Sequence, residues 1–401
     1  MLLKSLKLTN FLSFGESSQE LELRPLNVVI GPNGSGKSNL IEAIDLIRST
    51  PERSGLRTTI RDGGGVHDWL WKGAAETPVA VIDAVFDYPE WLMDLRNRQQ
   101  TLLTGPVGEP PGLRYVLGFS EVEQRFEILD ERIENALPDR GYEVPYIYYR
   151  FKDDHALLRV KKEDGRRSRQ PLEREDVSPI ASVLSKWAHP DSSPELHYLA
   201  ETFRSIRLYR EWHFGRNTPA RLPQKADLPN DFLEPDACNL GMVLNRLRRD
   251  LAVREKLLDA LRALYDGIED FDVQIEGGTV QVILQEGRRI IPATRLSDGT
   301  LRYLCLLAIL CDPKPGPLIC IEEPELGLHP DVLPTLADLL KDAAGRTQLI
   351  VTTHSDVLVD AITDQPESVV VAERDAAGTT LTRLDAEKIK PWLEKYRLGE
   401  L

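Results

Sequence analysis

Two short stretches carry residue types suited to phosphate chemistry. Residues 31–38 read GPNGSGKS. Gly31, Gly34 and Gly36 let the backbone curl so that several N–H groups point at one anion. Lys37 adds a positive charge for β- and γ-phosphates, and Ser38 offers a hydroxyl to Mg2+. Every defined position of the G-x-x-x-x-G-K-[ST] pattern is filled, with Pro32, Asn33 and Ser35 between them and Asn39 just behind. The second stretch, PLICIEEPELGLHP over 317–330, ends an apolar run in two adjacent carboxylates, Glu322 and Glu323. Adjacent strand residues point to opposite sides, so the pair can divide the work. Glu322 suits the hydration shell of Mg2+, and Glu323 suits a water that must be oriented and deprotonated.

Two more segments fit the same chemistry. In VTTHSD, 351–356, His354 sits at the exit of the apolar strand QLIV. The interval between Glu323 and His354 holds one helix and one strand, which sets His354 on the neighbouring parallel strand, at the carboxyl edge where ligands bind. From there it can reach a γ-phosphate. In LSDGT, 296–300, Ser297 opens the helix TLRYLCLLAIL. A serine hydroxyl and free N–H groups at a helix N-terminus make a second anion site, with Gly299 beside it.

These residues need a scaffold. The apolar run LNVVI reads as a buried strand before the loop, and SNLIEAIDLIR, 38–48, as an amphipathic helix with Leu40, Ile44 and Ile47 on one face. Residues 49–76 read mostly as loop. TPVAVIDAVFDY (77–88), LRYVLGF (113–119), RFEILD (125–130), PYIYYRF (145–151) and ALLRVK (156–161) read as an antiparallel sheet, some separated by turn formers such as TGPVGEPPG (104–112). A charged segment, 161–175, leads to helical periodicity over 194–212 and 239–265. Strands return over 271–291, followed by a helix, a strand at 317–321, a helix at 331–343, a strand at 347–352, and a tail of two strands and a helix. The expected fold is α/β, in three parts: 1–162 with the loop and the antiparallel β subdomain, a helical insertion over 163–270, and 271–401 with the remaining motifs. No sustained heptad pattern is present.

Composition narrows the function classes. With 50 basic and 64 acidic residues the net charge is −14, so the surface as a whole is not built to coat nucleic acid. Local basic features exist: GRRSR (165–169), RRD (248–250), and Arg204, Arg207 and Arg210, which would share an arc of about 120° if 194–212 were one helix. With Trp212, His213, Phe214 and Arg216 nearby, that stripe suits phosphate and base contact. With Glu201 and Glu211 it equally suits a solvated face. The start of the chain has no signal-peptide pattern, and the apolar run YLCLLAILC (303–311) is far short of the ~20 residues of a membrane span. Four cysteines without a C-x-x-C pair read as reduced thiols, and the expected compartment is the cytosol.

GPNGSGKSN, LSDGT, IEEPELGLHP and TTHS, in that order after the opening LKLTNFLSFGE, resemble the ABC-type ATPase heads. The likeness is to the RecF/SMC branch and its stand-alone AAA-family and OLD-like relatives, and it is strongest at the two ends of the chain. It implies a P-loop ABC/SMC-type head with an antiparallel β subdomain and an inserted helical lobe, binding ATP and Mg2+. The family signature, Leu-Ser-Gly-Gly-Gln, corresponds to Leu296–Thr300, which keeps Ser297 and Gly299 and departs at Asp298 and Thr300. In the superfamily this element meets the nucleotide of the opposite subunit. A homodimer on ATP binding is therefore implied, each γ-phosphate held by Lys37 of one copy and Ser297 of the other. Glu322 stands where many members have Asp, and His329 where transporter ATPases carry an aspartate. No zinc hook, long coiled coil or room for a Toprim domain after His354 is seen, so any nuclease or effector is expected on a separate protein. The expected role is an ATP-hydrolysing switch in DNA repair or in defence against foreign DNA, with DNA as a possible partner and no membrane. The alternatives are a regulatory or assembly ATPase that binds only protein, and a transporter energy subunit.

Overall fold

Alternating polarity builds the first sheet. In AVIDAVF every second side chain is buried, so β4 (Ala80–Phe86) turns one face to a core. It lies between β1 (Leu3–Thr9) and β5 (Leu113–Val122), antiparallel to both, with Ala84 opposite Leu6 and Tyr115. β2 (Leu21–Glu22), β6 (Arg125–Asn135), β7 (Ile147–Lys152), β8 (His155–Lys161) and β9 (Arg167–Leu172) complete eight strands in the order β2-β1-β4-β5-β6-β7-β8-β9. This computed structural model describes residues 1–94, 112–138, 141–152, 155–162, 167–172, 176–393 and 397–400. Most of the turn-forming stretch 104–112 and residues 165–166 of the basic GRRSR lie outside the described residues.

The chain divides into two compact units, and the sheet belongs to the first: Met1–Arg24, Gly31–Ile206 and Val371–Thr382. Its helices include α1 (Lys37–Ser49) and α4 (Pro194–Arg204). Phe203 of α4 packs on Phe86 and Tyr115 of the sheet, ring centroids 4.8 and 5.5 Å apart. Residues 49–76, expected as loop, hold α2 (Gly55–Asp62) and α3 (Val66–Trp69). Leu56, Ile60 and Trp69 are buried there. Apolar residues four apart are enough for a short helix against a core, and the polar residues around them hide that spacing in the sequence. β6 also carries a carboxylate inward. Glu131, 2% exposed, accepts from Tyr115 Oη at 2.9 Å, from Val183 N at 3.0 Å and from Ser182 Oγ. Burial pushes its pKa up to about 7 against these bonds, which favour the charged form, and the nearby Asp130 pushes it further up.

The second unit holds Pro25–Ile30, Arg207–Val370 and Arg383–Leu401. Here the central strands are mostly apolar, as parallel sheets covered on both faces require. β3 (Leu26–Ile30), β10 (Arg207–Tyr209), β15 (Leu318–Glu322) and β16 (Gln348–Thr352) pair in parallel in the order β10-β15-β16-β3. Asn27 is fully buried in β3 and satisfied, donating to Leu349 O at 3.0 Å and accepting from Arg383 Nη2 at 2.6 Å. A second, antiparallel sheet combines β11 (Gln224–Lys225), β12 (Asp270–Glu276), β13 (Thr279–Glu286) and β14 (Arg289–Pro292). α7 (Asp298–Leu310) is apolar on nearly every side, and every residue from Tyr303 to Leu310 is buried. Its end is fixed by Arg346 Nη2, which donates to Leu310 O at 2.7 Å. α8 (Leu333–Ala344) joins β15 to β16.

The span 163–270 differs from the expected helical insertion. Its described residues contain β9, β10 and β11 beside α4, α5 (Leu240–Leu247) and α6 (Leu251–Leu264), and they divide between the two units at Ile206. The periodicity over 239–265 breaks where Asp250 caps α6, accepting from Ala252 N and Val253 N. That over 194–212 ends at Arg204, because Arg207–Tyr209 pair with Ile319–Ile321. Partner strands, invisible to local periodicity, decide such short segments. Among the described residues no helix is long and apolar enough to cross a membrane.

The raised pKa of Glu131 predicts a pH effect. The folded state holds this proton more tightly than the unfolded chain, so stability falls as pH rises from 4.5 through about 7. The loss amounts to roughly 3 kcal/mol. Thermal unfolding followed by circular dichroism should show a lower midpoint above that window than below it. Glu131→Gln should remove most of the difference; an equal drop in the variant would refute the assignment.

Candidate nucleotide site

β3 ends at Ile30, and the glycine-rich loop begins at the next residue. Gly31 and Gly36 have φ of 145° and 100°. A Cβ on Gly31 would lie 2.2 Å from Ala372 O, and one on Gly36 would lie 2.4 Å from Thr379 Oγ1 and 2.5 Å from Ser13 Oγ. Glycine is thus required by both conformation and space. Side chains fasten the loop from behind. Thr379 Oγ1 donates to Ser35 O at 2.8 Å and bonds Ser13 Oγ at 2.7 Å, and Asn39 Nδ2 donates to Ser13 Oγ at 2.7 Å. Ser35 is buried, whereas Pro32, Asn33, Gly34 and Ser38 are exposed.

Lys37 folds back across the loop, its Nζ donating to Gly31 O at 2.7 Å and Pro32 O at 3.0 Å. α1 starts with no side-chain cap and no acidic residue in its first turn. Its first N–H groups are left for an outside acceptor. An ammonium, an uncapped helix start and an exposed serine hydroxyl form a donor set that fits a polyphosphate. The hydroxyl is also an oxygen ligand of the kind Mg2+ takes.

In the second unit, parallel pairing brings strand ends to one edge. Register sets Tyr209 opposite Ile321 and Glu322 opposite Thr352. Arg210 therefore leaves β10 beside Glu322, and its Nε lies 3.3 Å from Glu322 Oε2. Glu323 breaks the strand with φ 44°. A non-glycine residue in this region carries about 1–3 kcal/mol of strain and persists only where neighbours fix it. Glu323 N donates to Thr352 O at 2.9 Å, and Glu323 O accepts from Leu326 N at 3.2 Å and from Arg302 Nη1 at 3.3 Å. His354 Nε2 lies 3.5 Å from Glu323 Oε1, both side chains about one-third exposed. A carboxylate and an imidazole at this spacing can hold and deprotonate a water. Glu325 supports them from below, its Oε1 accepting from Thr353 Oγ1 at 2.6 Å and His354 N at 2.8 Å.

Ser297 caps α7, its Oγ accepting from Thr300 N at 3.1 Å and lying 2.8 Å from Thr300 Oγ1. A Cβ on Gly299 would stand 2.4 Å from Gly327 O, so the helix tip is pressed against the turn that follows the paired carboxylates. His329 caps a 3-10 turn, Pro330–Val332, its Nδ1 accepting from Asp331 N at 3.3 Å.

The structure joins Glu323 to His354 and sets Glu322 beside them on the same sheet edge. It does not form the arginine stripe. Arg204 ends α4 and pairs with Glu52 and Glu201 at 3.1 and 2.6 Å. Arg207 is in β10 and lies 3.4 Å from the centre of the Phe232 ring. Arg210 faces Glu322, and His213 and Arg216 are exposed. The helical-wheel spacing fails because the helix stops at Arg204. Sequence reasoning named Arg210 only as part of that stripe and missed its contact with Glu322, and it missed Arg302 and Glu325. Glu325 was open to view as the third acid of IEEPE, and Arg302 as the basic residue four positions beyond Asp298. Arg302 also packs over Trp212 and Phe214, 5.4 and 5.6 Å from their ring centres, and burial lowers its pKa.

Gly36→Ala would force a Cβ into Thr379 and Ser13 at a left-handed φ. The expected result is weaker nucleotide binding by at least about fivefold, from a strain of about 1–3 kcal/mol, together with a lower unfolding midpoint. Calorimetry showing unchanged affinity would refute the packing requirement.

A family model described as "AAA domain, putative AbiEii toxin, Type IV TA system" matches residues 26–80 and 108–360. No curated protein matches the sequence. Among solved structures, the chain is similar to an Smc head bound to the C-winged helix domain of ScpA, with TM-score 0.56 and 14% identity, covering 97% of this chain and 99% of that one. It is also similar to the Smc head domain of Pyrococcus furiosus with an extended coiled coil bound to the C-terminal domain of ScpA (TM-score 0.53, 14% identity, coverage 98% and 99%). A third likeness is to the Smc head domain of Pyrococcus yayanosii with a coiled coil and joint (TM-score 0.50, 13% identity, coverage 98% and 99%). The fold is that of a P-loop ABC/SMC-type ATPase head, and the chain belongs to the AAA-domain family whose model spans most of it.

Proposed function

We propose that this chain binds ATP with Mg2+, hydrolyses it, and closes as a homodimer around two nucleotides. Residues Gly31–Asn39 hold the phosphates, with Lys37 at the β- and γ-groups. Ser38 and Glu322 serve the metal, which when bound neutralises charge on the β- and γ-oxygens. Glu323 orients and deprotonates the attacking water, and His354 contacts the γ-phosphate. Ser297 and Gly299 present the tip of α7 to the nucleotide of the second copy. The observation that carries this reading is the Glu323–His354 pair, held at the carboxyl edge of a parallel sheet by a strained backbone turn.

Dimerisation makes the chemistry a switch. A shift from mostly open to mostly closed needs about 5 kcal/mol of preference for the closed state. Charge-assisted bonds of ~1.5–3 kcal/mol at two composite sites are of that order. Hydrolysis removes the shared phosphoryl group and with it the preference. The proposed setting is DNA repair or defence against foreign DNA, with a separate effector protein. The support for defence is the family's own description, which names a toxin of a type IV system.

Glu323→Gln is expected to bind ATP, to lose hydrolysis by at least about a hundredfold, and to sediment as a dimer with ATP and Mg2+. Adding Ser297→Arg should return it to monomer while nucleotide binding persists. A Glu323→Gln chain that stays monomeric would end the dimer reading, and one that hydrolyses normally would end the catalytic one. Turnover should rise with duplex DNA at low salt and lose that rise at high salt; turnover indifferent to DNA at both would favour a partner that is protein only.

A further inference from the structure

The stretch Leu296–Thr300 carries an acid, Asp298, where the ABC-type signature Leu-Ser-Gly-Gly-Gln has glycine, and the structure shows what answers that charge. Arg221 lies between β10 and β11 and is 8% exposed. Its Nη1 donates to Leu296 O and, at 3.4 Å, to Ala293 O. Its Nη2 donates to Phe214 O at 3.2 Å and to Asp298 Oδ1. One buried guanidinium thus grips the carbonyl just before Ser297 and the carboxylate just after it. The Asp298 side chain is itself 70% exposed, so it is held at the surface from below.

The charge matters as much as the grip. An acid in the first turn favours its own helix through the dipole. The same acid repels any anion brought to the Ser297 hydroxyl and the N–H groups around it. A fork-shaped cation on that carboxylate offsets the repulsion and fixes its direction.

We infer that Arg221 is a positioning residue for the Ser297 tip: it locks Leu296–Asp298 into the shape of an anion site and neutralises Asp298, so that a phosphoryl oxygen of the second copy can approach. This rests on the proposed contact of Ser297 with a partner's nucleotide. The charge that compensates Asp298 comes from 77 residues earlier in the chain.

The test uses the full-length Glu323→Gln chain with ATP and Mg2+, with association read by sedimentation. Arg221→Met in that background is expected to weaken association by at least about tenfold. Asp298→Gly added to it should recover most of the loss, because no carboxylate then needs neutralising. A role confined to packing would not be rescued this way, so weakening without recovery overturns the inference, as does association equal to that of the parent. Asp298→Gly alone, at an exposed position, keeps the test alive if Arg221→Met does not fold. It should associate as tightly as the parent or more so, and weaker association overturns the proposal. Hydrogen exchange at Ser297–Thr300 without nucleotide separates this inference from the dimer reading. Faster exchange in Arg221→Met supports the grip even if the parent never dimerises, and unchanged exchange refutes it even if the parent does.

Discussion

The peptide N–H of Glu323 still donates to Thr352 O as a strand residue would, while its φ of 44° already turns the chain out of the sheet. Most of the second unit's site depends on that one turn. A strand that simply continued would alternate its two acids across the sheet. The left-handed residue instead leaves Glu322 in register with Thr352 and brings Glu323 to His354. Its carbonyl is held by Arg302, which rises from α7, and by the Leu326 N–H of the following turn. The Glu323 carboxylate, the His354 imidazole and the helix that starts at Ser297 thus share one strained backbone position. A change in any of them is felt there.

Three arginines answer three acidic or electron-rich points on this edge: Arg210 at Glu322, Arg302 at Glu323 O, and Arg221 at Asp298. In a chain with 64 acidic and 50 basic residues, these cations are spent on internal order. Guanidinium suits the task because its flat fork bonds carbonyls and carboxylates together and keeps its charge when buried. The Arg210–Glu322 contact also bears on the proposed metal role of Glu322, because any cation drawn to that carboxylate shares it with one already present.

The glycine-rich loop, the paired acids, His354 and the capping serine were legible because each is a local pattern on a recognisable strand or helix start. The antiparallel sheet was legible for the same reason, as in the alternation of AVIDAVF. What escaped depended on distant partners. Arg207–Tyr209 look helical until Ile319–Ile321 are set beside them. Asp298 reads only as a departure from the Leu-Ser-Gly-Gly-Gln signature until Arg221 is found beneath it. The two units interleave along the chain, each built from three separate segments, so boundaries drawn by composition alone divided 163–270 differently from the fold. Short helices such as Gly55–Asp62, with two buried residues, fall below what periodicity can separate from a loop.

The apolar wrapping of α7 has a mechanical side. The helix has 13 residues, about 20 Å in length. Closely packed neighbours leave it little freedom to bend. Tyr303 Oη anchors it midway to Ala260 O at 3.1 Å, and Arg346 grips Leu310 O at its far end, where Arg246 also pairs with Asp312. A push at its polar tip would therefore shift the helix as a whole, and with it the loop around Asp312 at its far end, more readily than bend it.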